Sequence, residues 1–463
     1  MTRVLSCVLG LGLCLPLSAS AEGPGVLIFG GGSDPSSTPL SVEAHVLALG
    51  RALARARPQL LFAGGQPAQR TVQIEDPHPD HLGAWMGRIF ATGEHVGVTY
   101  RPTTVVGAAV TQDALLARIA RGAAEARGLV VFGAGHGDAA HDEEPASLLL
   151  WGNDTLTPPE LARALDTPRS AGPVALVLGQ CHSGAFTDVL YVGADPDGAV
   201  AEPTRCVLAA VPADRTAAGC TPDAADPEAH AYLSTMAAAL AGAKGADVDG
   251  SGKVSLAEAH AWSSIHDDTV DLPVKTSEAW VRKVLGEEAE RLHELAPPRV
   301  LQLARPEVRA VLNALRGPGT DAATTRAELD ALEERLDALD DRAAPLEEAQ
   351  SRALAELRTM LLTRWPELAS PYHRVARSLL SARADELLRA LEAHPAARVV
   401  LELDAQLTAI HAELGALERS AVKLERWLRA YETVALEAAL RKRGTPSQVR
   451  TLDALLACEA LTP

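Results

Sequence analysis

Positive charge and aromatic rings are what this chain has least of. Lys and Arg number 43 against 60 Asp and Glu, a formal net charge of -17, and Phe, Trp and Tyr make up 3% of 463 residues. No basic stripe with interleaved aromatics is present to track a phosphate backbone, so nucleic acid is excluded as a partner. An acidic surface favours solubility and weakens contact with anionic membranes. Cysteine is sparse too, six in all. None forms the tight Cys-x2-Cys pair of a structural zinc site.

The opening segment is positive at Arg3, then apolar, then reads Ala19-Ser20-Ala21. Its apolar run is too short to span a bilayer comfortably, so no stable membrane insertion is expected. The pattern is that of a secretory leader cut after Ala21, which makes the protein exported, periplasmic or secreted. Cys7 and Cys14 lie inside this run and raise a lipoprotein alternative. Cys7, however, precedes most of the apolar residues, and Cys14 follows the bulky Leu13. The mature chain keeps Cys181, Cys206, Cys220 and Cys458. In an oxidising compartment a Cys206–Cys220 bridge would close a short loop.

Two segments about 45 residues apart carry the chemistry. One reads Gly128-Leu-Val-Val-Phe-Gly-Ala-Gly-His136-Gly137-Asp138, the other Val174-Ala-Leu-Val-Leu-Gly-Gln180-Cys181-His182-Ser183-Gly184. Each is an apolar strand running into a turn. Strands alternate with helices around them: strands at 25–32 and 60–63, helices from Val42 to Arg55 and from Thr111 to Ala126, and a Pro-started helix after Thr157. That alternation predicts an α/β fold whose mainly parallel sheet is flanked by helices. Such folds place ligands at the carboxyl ends of their strands. An imidazole beside a thiol there raises the thiolate fraction and makes a nucleophile. Two plainer readings stand beside this one. Cys181 packs as a small half-buried hydrophobe, or His136, His141, Cys181 and His182 together ligate zinc.

The His-Gly and Cys-His-Ser-Gly pair, each following an apolar strand, resembles the caspase-like cysteine peptidases (legumain, metacaspase, gingipain) over roughly residues 24–290. The resemblance implies an endopeptidase acting on peptide or protein substrates without an organic cofactor. In it Cys181 attacks the scissile carbonyl, His136 handles protons, and the amides of Gly137 and Cys181 hold the oxyanion. Relatives place an acidic residue two before the nucleophile, where this chain has Gly179. Asp214 and Arg215 fall in the region that lines the specificity pocket in such enzymes, or they are surface turn residues.

Residues 247–258 fit the twelve-residue EF-hand calcium loop, with oxygen ligands at odd positions, Gly at six and Glu at twelve. Asp247, Asp249, Ser251 and Glu258 would offer side chains, Lys253 its carbonyl, and Ser255 a water-mediated contact. Ca2+ is therefore expected, in a structural role. Beyond Pro297-Pro298 and Gly317-Pro318-Gly319 the composition shifts to Ala, Leu, Glu and Arg. An apolar stripe runs Val400, Leu403, Leu407, Ile410, Leu414, Leu417, Ala421, Leu424, Leu428, Tyr431. This predicts a caspase-like unit at 22–296, a linker at 297–319 and a coiled-coil-like all-α domain at 320–463. The stripe serves either a protein partner, self-association or the core of its own bundle. The competing function is a catalytically silent calcium-binding scaffold that works through those helices.

Overall fold

The computed structural model describes residues 23–66, 68–75, 81–90, 98–142, 144–167, 169–219, 231–286, 295–370 and 374–463. The expected leader, with Cys7 and Cys14, lies outside the described residues, as does Cys220. No described helix is long and apolar enough to cross a membrane.

Eleven described strands run β1 (Gly25–Gly31), β2 (Gln59–Phe62), β3 (Arg70–Glu75), β4 (Val98–Pro102), β5 (Leu129–Gly135), β6 (Gly137–Asp138), β7 (Ser147–Leu150), β8 (Asp154–Leu156), β9 (Val174–Leu178), β10 (Arg205–Ala209) and β11 (Val274–Lys275). Six of them build the central sheet in the order β11-β10-β9-β5-β1-β2. All neighbours in it are parallel except β10 and β11. The apolar runs of β5, β9 and β10, rich in Val and Leu, are buried on both faces, as parallel strands between two helical layers must be.

One layer holds α1 (Leu40–Ala52), α5 (Tyr232–Leu240) and α6 (Leu256–His266). They cover the face carrying Ile28, Phe132, Val177 and Leu208. The other holds α3 (Gln112–Ala123) and α4 (Pro158–Leu165), over Leu27, Val131, Leu176 and Val207. Local chemistry sets these helices. Thr111 caps α3 by accepting from the Ala114 amide. Thr157 and Glu160 form a reciprocal capping box at α4, with Pro158 at its first turn. The helix anticipated from Val42 to Arg55 begins two residues sooner and stops at Ala52 in favour of a 3-10 turn. Chain order reverses between β1 and β5. The crevice at their carboxyl ends is thus a topological switch point.

The second half departs from the sequence expectation. Residues 297–319 hold α8 (Pro297–Leu303) and α9 (Pro306–Arg316) rather than a linker. Their prolines occupy first-turn positions, where the missing amide costs nothing, so they open helices instead of breaking them. Two long helices follow, α10 (Ala322–Arg364) and α13 (Pro395–Arg443), joined through α11 (Arg374–Ala382) and α12 (Ala384–Glu392). Arg326 pairs with Glu432 and Glu347 with His411, so the long helices run antiparallel. The apolar stripe is spent inside this hairpin: Leu407, Ile410 and Leu417 pack on Leu339 and Ala343. At the far end, α2 (His81–Phe90) inserts Trp85 and Met86 among Leu357, Leu361 and Leu391.

The near end is built into the α/β unit. Val300, Val308 and Leu312 of α8 and α9 pack against Trp427 and Tyr431. Arg282 of α7 (Thr276–Leu285) bridges to Glu432 at 2.9 Å. From the last helix, α14 (Pro446–Glu459), Glu459 accepts from the amide and hydroxyl of Ser277, each at 2.7 Å. Cys206 is bonded to Cys458, 252 residues away, and not to Cys220. The short-loop pairing suggested by proximity in sequence is thereby corrected. Strand β10 lies against α14, so its thiol meets one from the far end of the chain.

Candidate active site and acidic loop

Strands β5 and β9 are direct neighbours, with Leu129 level with Val174 and Gly133 level with Leu178. The turns that leave them therefore emerge side by side. At Gly135, φ is +142°, and a Cβ would lie 2.3 Å from the Gly31 carbonyl, so only glycine lets the chain pass there. His136 follows. A compact turn opposite it is fixed by Asp34, whose Oδ1 accepts from the Ser36 and Ser37 amides at 2.7 and 3.1 Å. Thr38 Oγ1 accepts from the Gly32 amide at 3.0 Å and donates to Asp34 O at 2.8 Å.

This turn brings the Ser37 main chain into a hydrogen bond with the His136 ring. Its Nε2 is buried and has no partner. Burial pulls the imidazole below its ordinary range, while the Ser37 hydrogen bond and the charge of Asp138 draw it partly back. The neutral ring is therefore favoured near pH 7, with Nε2 buried and unpartnered.

Gly137 begins β6. Leu149 donates its amide to His136 O at 3.0 Å, which makes the level pair Gly137 and Leu148 a non-hydrogen-bonded one and turns the Gly137 N–H away from β7. A Cβ on Gly137 would sit 2.3 Å from the Cys181 carbonyl oxygen. The two turns thus touch main chain to main chain. Cys181 is half-buried and is the one free cysteine among the described residues. Its Sγ accepts from the Ala217 amide at 3.2 Å and lies 3.7 Å from the Ala217 carbonyl. His182, at φ 58°, turns its ring away to Ala213 O at 2.8 Å, and its amide donates to Arg215 O at 2.9 Å.

The remaining sequence-derived candidates differ in their surroundings. At Gly179, where relatives of the resembled class carry an acid, a Cβ would strike Leu233 at 2.4 Å. Asp214 is exposed. Arg215 spans to Glu425 of α13 at 2.7 Å, and this partner holds the guanidinium above its usual range. His136, His141, Cys181 and His182 do not converge into a metal-binding group among the described residues.

The acidic loop does converge. Carboxylate oxygens of Asp247, Asp249 and Glu258 lie within 4.8 Å of one another and could hold a metal. Gly250 and Gly252 take φ of +73° and +84°, the left-handed turns that fold the loop back. Asp247 accepts from the Ser251 and Gly252 amides at 3.0 and 2.8 Å. Glu258 accepts through one oxygen from Val248 at 3.0 Å, and through the other from the amide and hydroxyl of Ser255, each at 2.8 Å. Ser255 and Glu258 thereby close a capping box on α6. The Ser251 hydroxyl donates to the Lys253 carbonyl at 3.0 Å. Every donor is a hard oxygen, the chemistry that Ca2+ or Mg2+ takes.

Sequence reasoning did not reach Ser37, Ala217 or Arg426. The first two act through main-chain atoms, which no residue type advertises. No protein-family model matches the chain, and comparison with curated proteins finds no match.

Proposed function

We propose that this chain is an exported cysteine endopeptidase of caspase-like fold with a structural calcium loop. The observation that supports it is the meeting of the turns that leave β5 and β9, beside the switch point: His136 with Nε2 unpartnered, and Cys181 against Gly137. His136 Nε2 takes the thiol proton as Cys181 Sγ adds to the scissile carbonyl. The oxyanion faces the amides of Gly137 and Cys181. On collapse the C–N bond breaks, and the imidazolium gives its proton to the leaving amine. Water, deprotonated by the same nitrogen, then splits the thioester and releases an acid and the thiol. With Leu233 filling the space beside Gly179, no acidic group at that position selects a basic substrate side chain.

Asp247, Asp249, Ser251 and Glu258, with the Lys253 carbonyl and a water on Ser255, would hold the ion. Bound Ca2+ would offset the repulsion of three carboxylates at the entrance to α6. The test is peptide-library cleavage by the mature protein, beside Cys181→Ala and Glu258→Gln, in calcium and in chelator. Cleavage lost in Cys181→Ala, and a calcium-dependent rise in Tm lost in Glu258→Gln, are the expected results. A folded, calcium-bound protein that cleaves nothing would refute the peptidase and leave the scaffold.

A further inference from the structure

Arg426 of α13 is a buried guanidinium, 3% exposed, whose hydrogen bonds go neither to the crevice turns nor to the acidic loop. A charge withdrawn this far from water needs dense hydrogen bonding. It finds that bonding in the connection between α6 and β11. Nε and Nη2 donate to Asp271 O at 2.8 and 2.6 Å, Nη1 to Asp267 O at 2.6 Å, and Nη2 to Thr269 O at 3.1 Å. The Asp267 carboxylate adds an ion pair at 3.3 Å. One side chain thus gathers residues 264–271 around itself.

The gathered loop reaches the nucleophile. Asp271 Oδ1 accepts from the Ala218 amide at 2.6 Å. The preceding residue, Ala217, puts its own amide 3.2 Å from Cys181 Sγ. Segment 213–218 also holds His182 from two carbonyls, so its position sets that of the whole Cys181 turn. Burial raises both Asp267 and Asp271, the charge of Asp267 adds to the rise of Asp271, to about 8, and Arg426 draws both partly back.

We infer that Arg426 is a positioning residue for Cys181, acting through Asp271 and the Ala217–Ala218 main chain. The inference rests on the peptidase reading only for the use to which the thiol is put. It is tested on the full chain by the rate at which iodoacetamide alkylates Cys181, read by peptide mass mapping and corrected for folded fraction, beside cleavage kinetics where cleavage exists.

Arg426→Met is expected to slow alkylation about tenfold, the order of one hydrogen bond to a charged group. It should lower kcat with little change in KM. Asp271→Ala should do the same, and Asp271→Asn, which keeps an oxygen for the Ala218 amide, should retain more of the rate. The Asp271 pair decides if Arg426→Met does not fold. A rate per folded molecule unchanged in Asp271→Ala would overturn the inference, since a merely structural loop would move Tm alone. A wild-type Cys181 that alkylates selectively but cleaves nothing would strike the peptidase reading and leave this one standing.

Discussion

Breaking the Cys206–Cys458 bond should be the largest single loss of stability available by point substitution. The bond closes a loop of 252 residues. In the chain-entropy description, a loop of that size removes about 5 kcal/mol of freedom from the unfolded ensemble at 25 °C. Both sulfurs are buried, at 0% and 2% exposure, so Cys458→Ala adds a small cavity worth about 1 kcal/mol. Against a typical total of roughly 5–15 kcal/mol, the variant would be close to unfolding. The assay is urea unfolding of protein made under oxidising conditions, followed by far-ultraviolet circular dichroism and by tryptophan fluorescence. Wild type, wild type with reductant, and Cys458→Ala are compared. The two reduced forms should lose about the same amount, with a steeper denaturant dependence because an unlinked chain exposes more surface. A loss under about 1 kcal/mol, or a mapped peptide joining Cys206 to Cys220, would refute this reasoning.

Gly137→Ala drives a Cβ toward the Cys181 carbonyl, 2.3 Å away, and toward Ser147 O, 3.2 Å away. Neither atom can swing aside, so the amide over the crevice must move and kcat should fall about 100-fold, the scale of one oxyanion donor. Steady-state kinetics on a cleaved peptide check this, and an unchanged kcat would remove Gly137 from the site. His45 is buried, its Nε2 is unpartnered, and burial alone lowers it from 6.5 to about 4. The folded state binds this proton less well than the unfolded one. Its contribution is therefore complete above pH 6.5 and is lost as pH falls through about 4, an amplitude of about 3 kcal/mol. Urea curves near pH 7 and pH 4 should show His45→Leu losing that much less than wild type, and equal losses would contradict the assignment.

The parallel sheet was legible because strands buried on both faces must be continuously apolar, and those of β5 and β9 are. The start of α4 was legible because proline in a first helical turn is a local signal. What failed was anything decided over long distance. Pro297 and Pro306 carry the same local signal whether they end a chain segment or open a packed helix. Arg426 lies between the stripe positions Leu424 and Leu428, where periodicity assigns a solvated residue. A signal was nonetheless present: from Val422 to Leu440 α13 is buried on nearly every side, and its run Val434-Ala-Leu-Glu-Ala-Ala-Leu440 is too apolar all round for a surface coiled coil.

A chain made from its amino end presents Cys181 and Ala217 more than two hundred residues before Arg426. Domains fold as they emerge, and the sheet with its two crevice turns needs nothing beyond β11 to pair. The support beneath Ala218 is different, because it cannot close until α13 arrives. Ordering in time is thus written into the fold: the thiol exists early, but its setting is completed late. Fragments released before α13 would carry Cys181 without the guanidinium that gathers residues 264–271 around it.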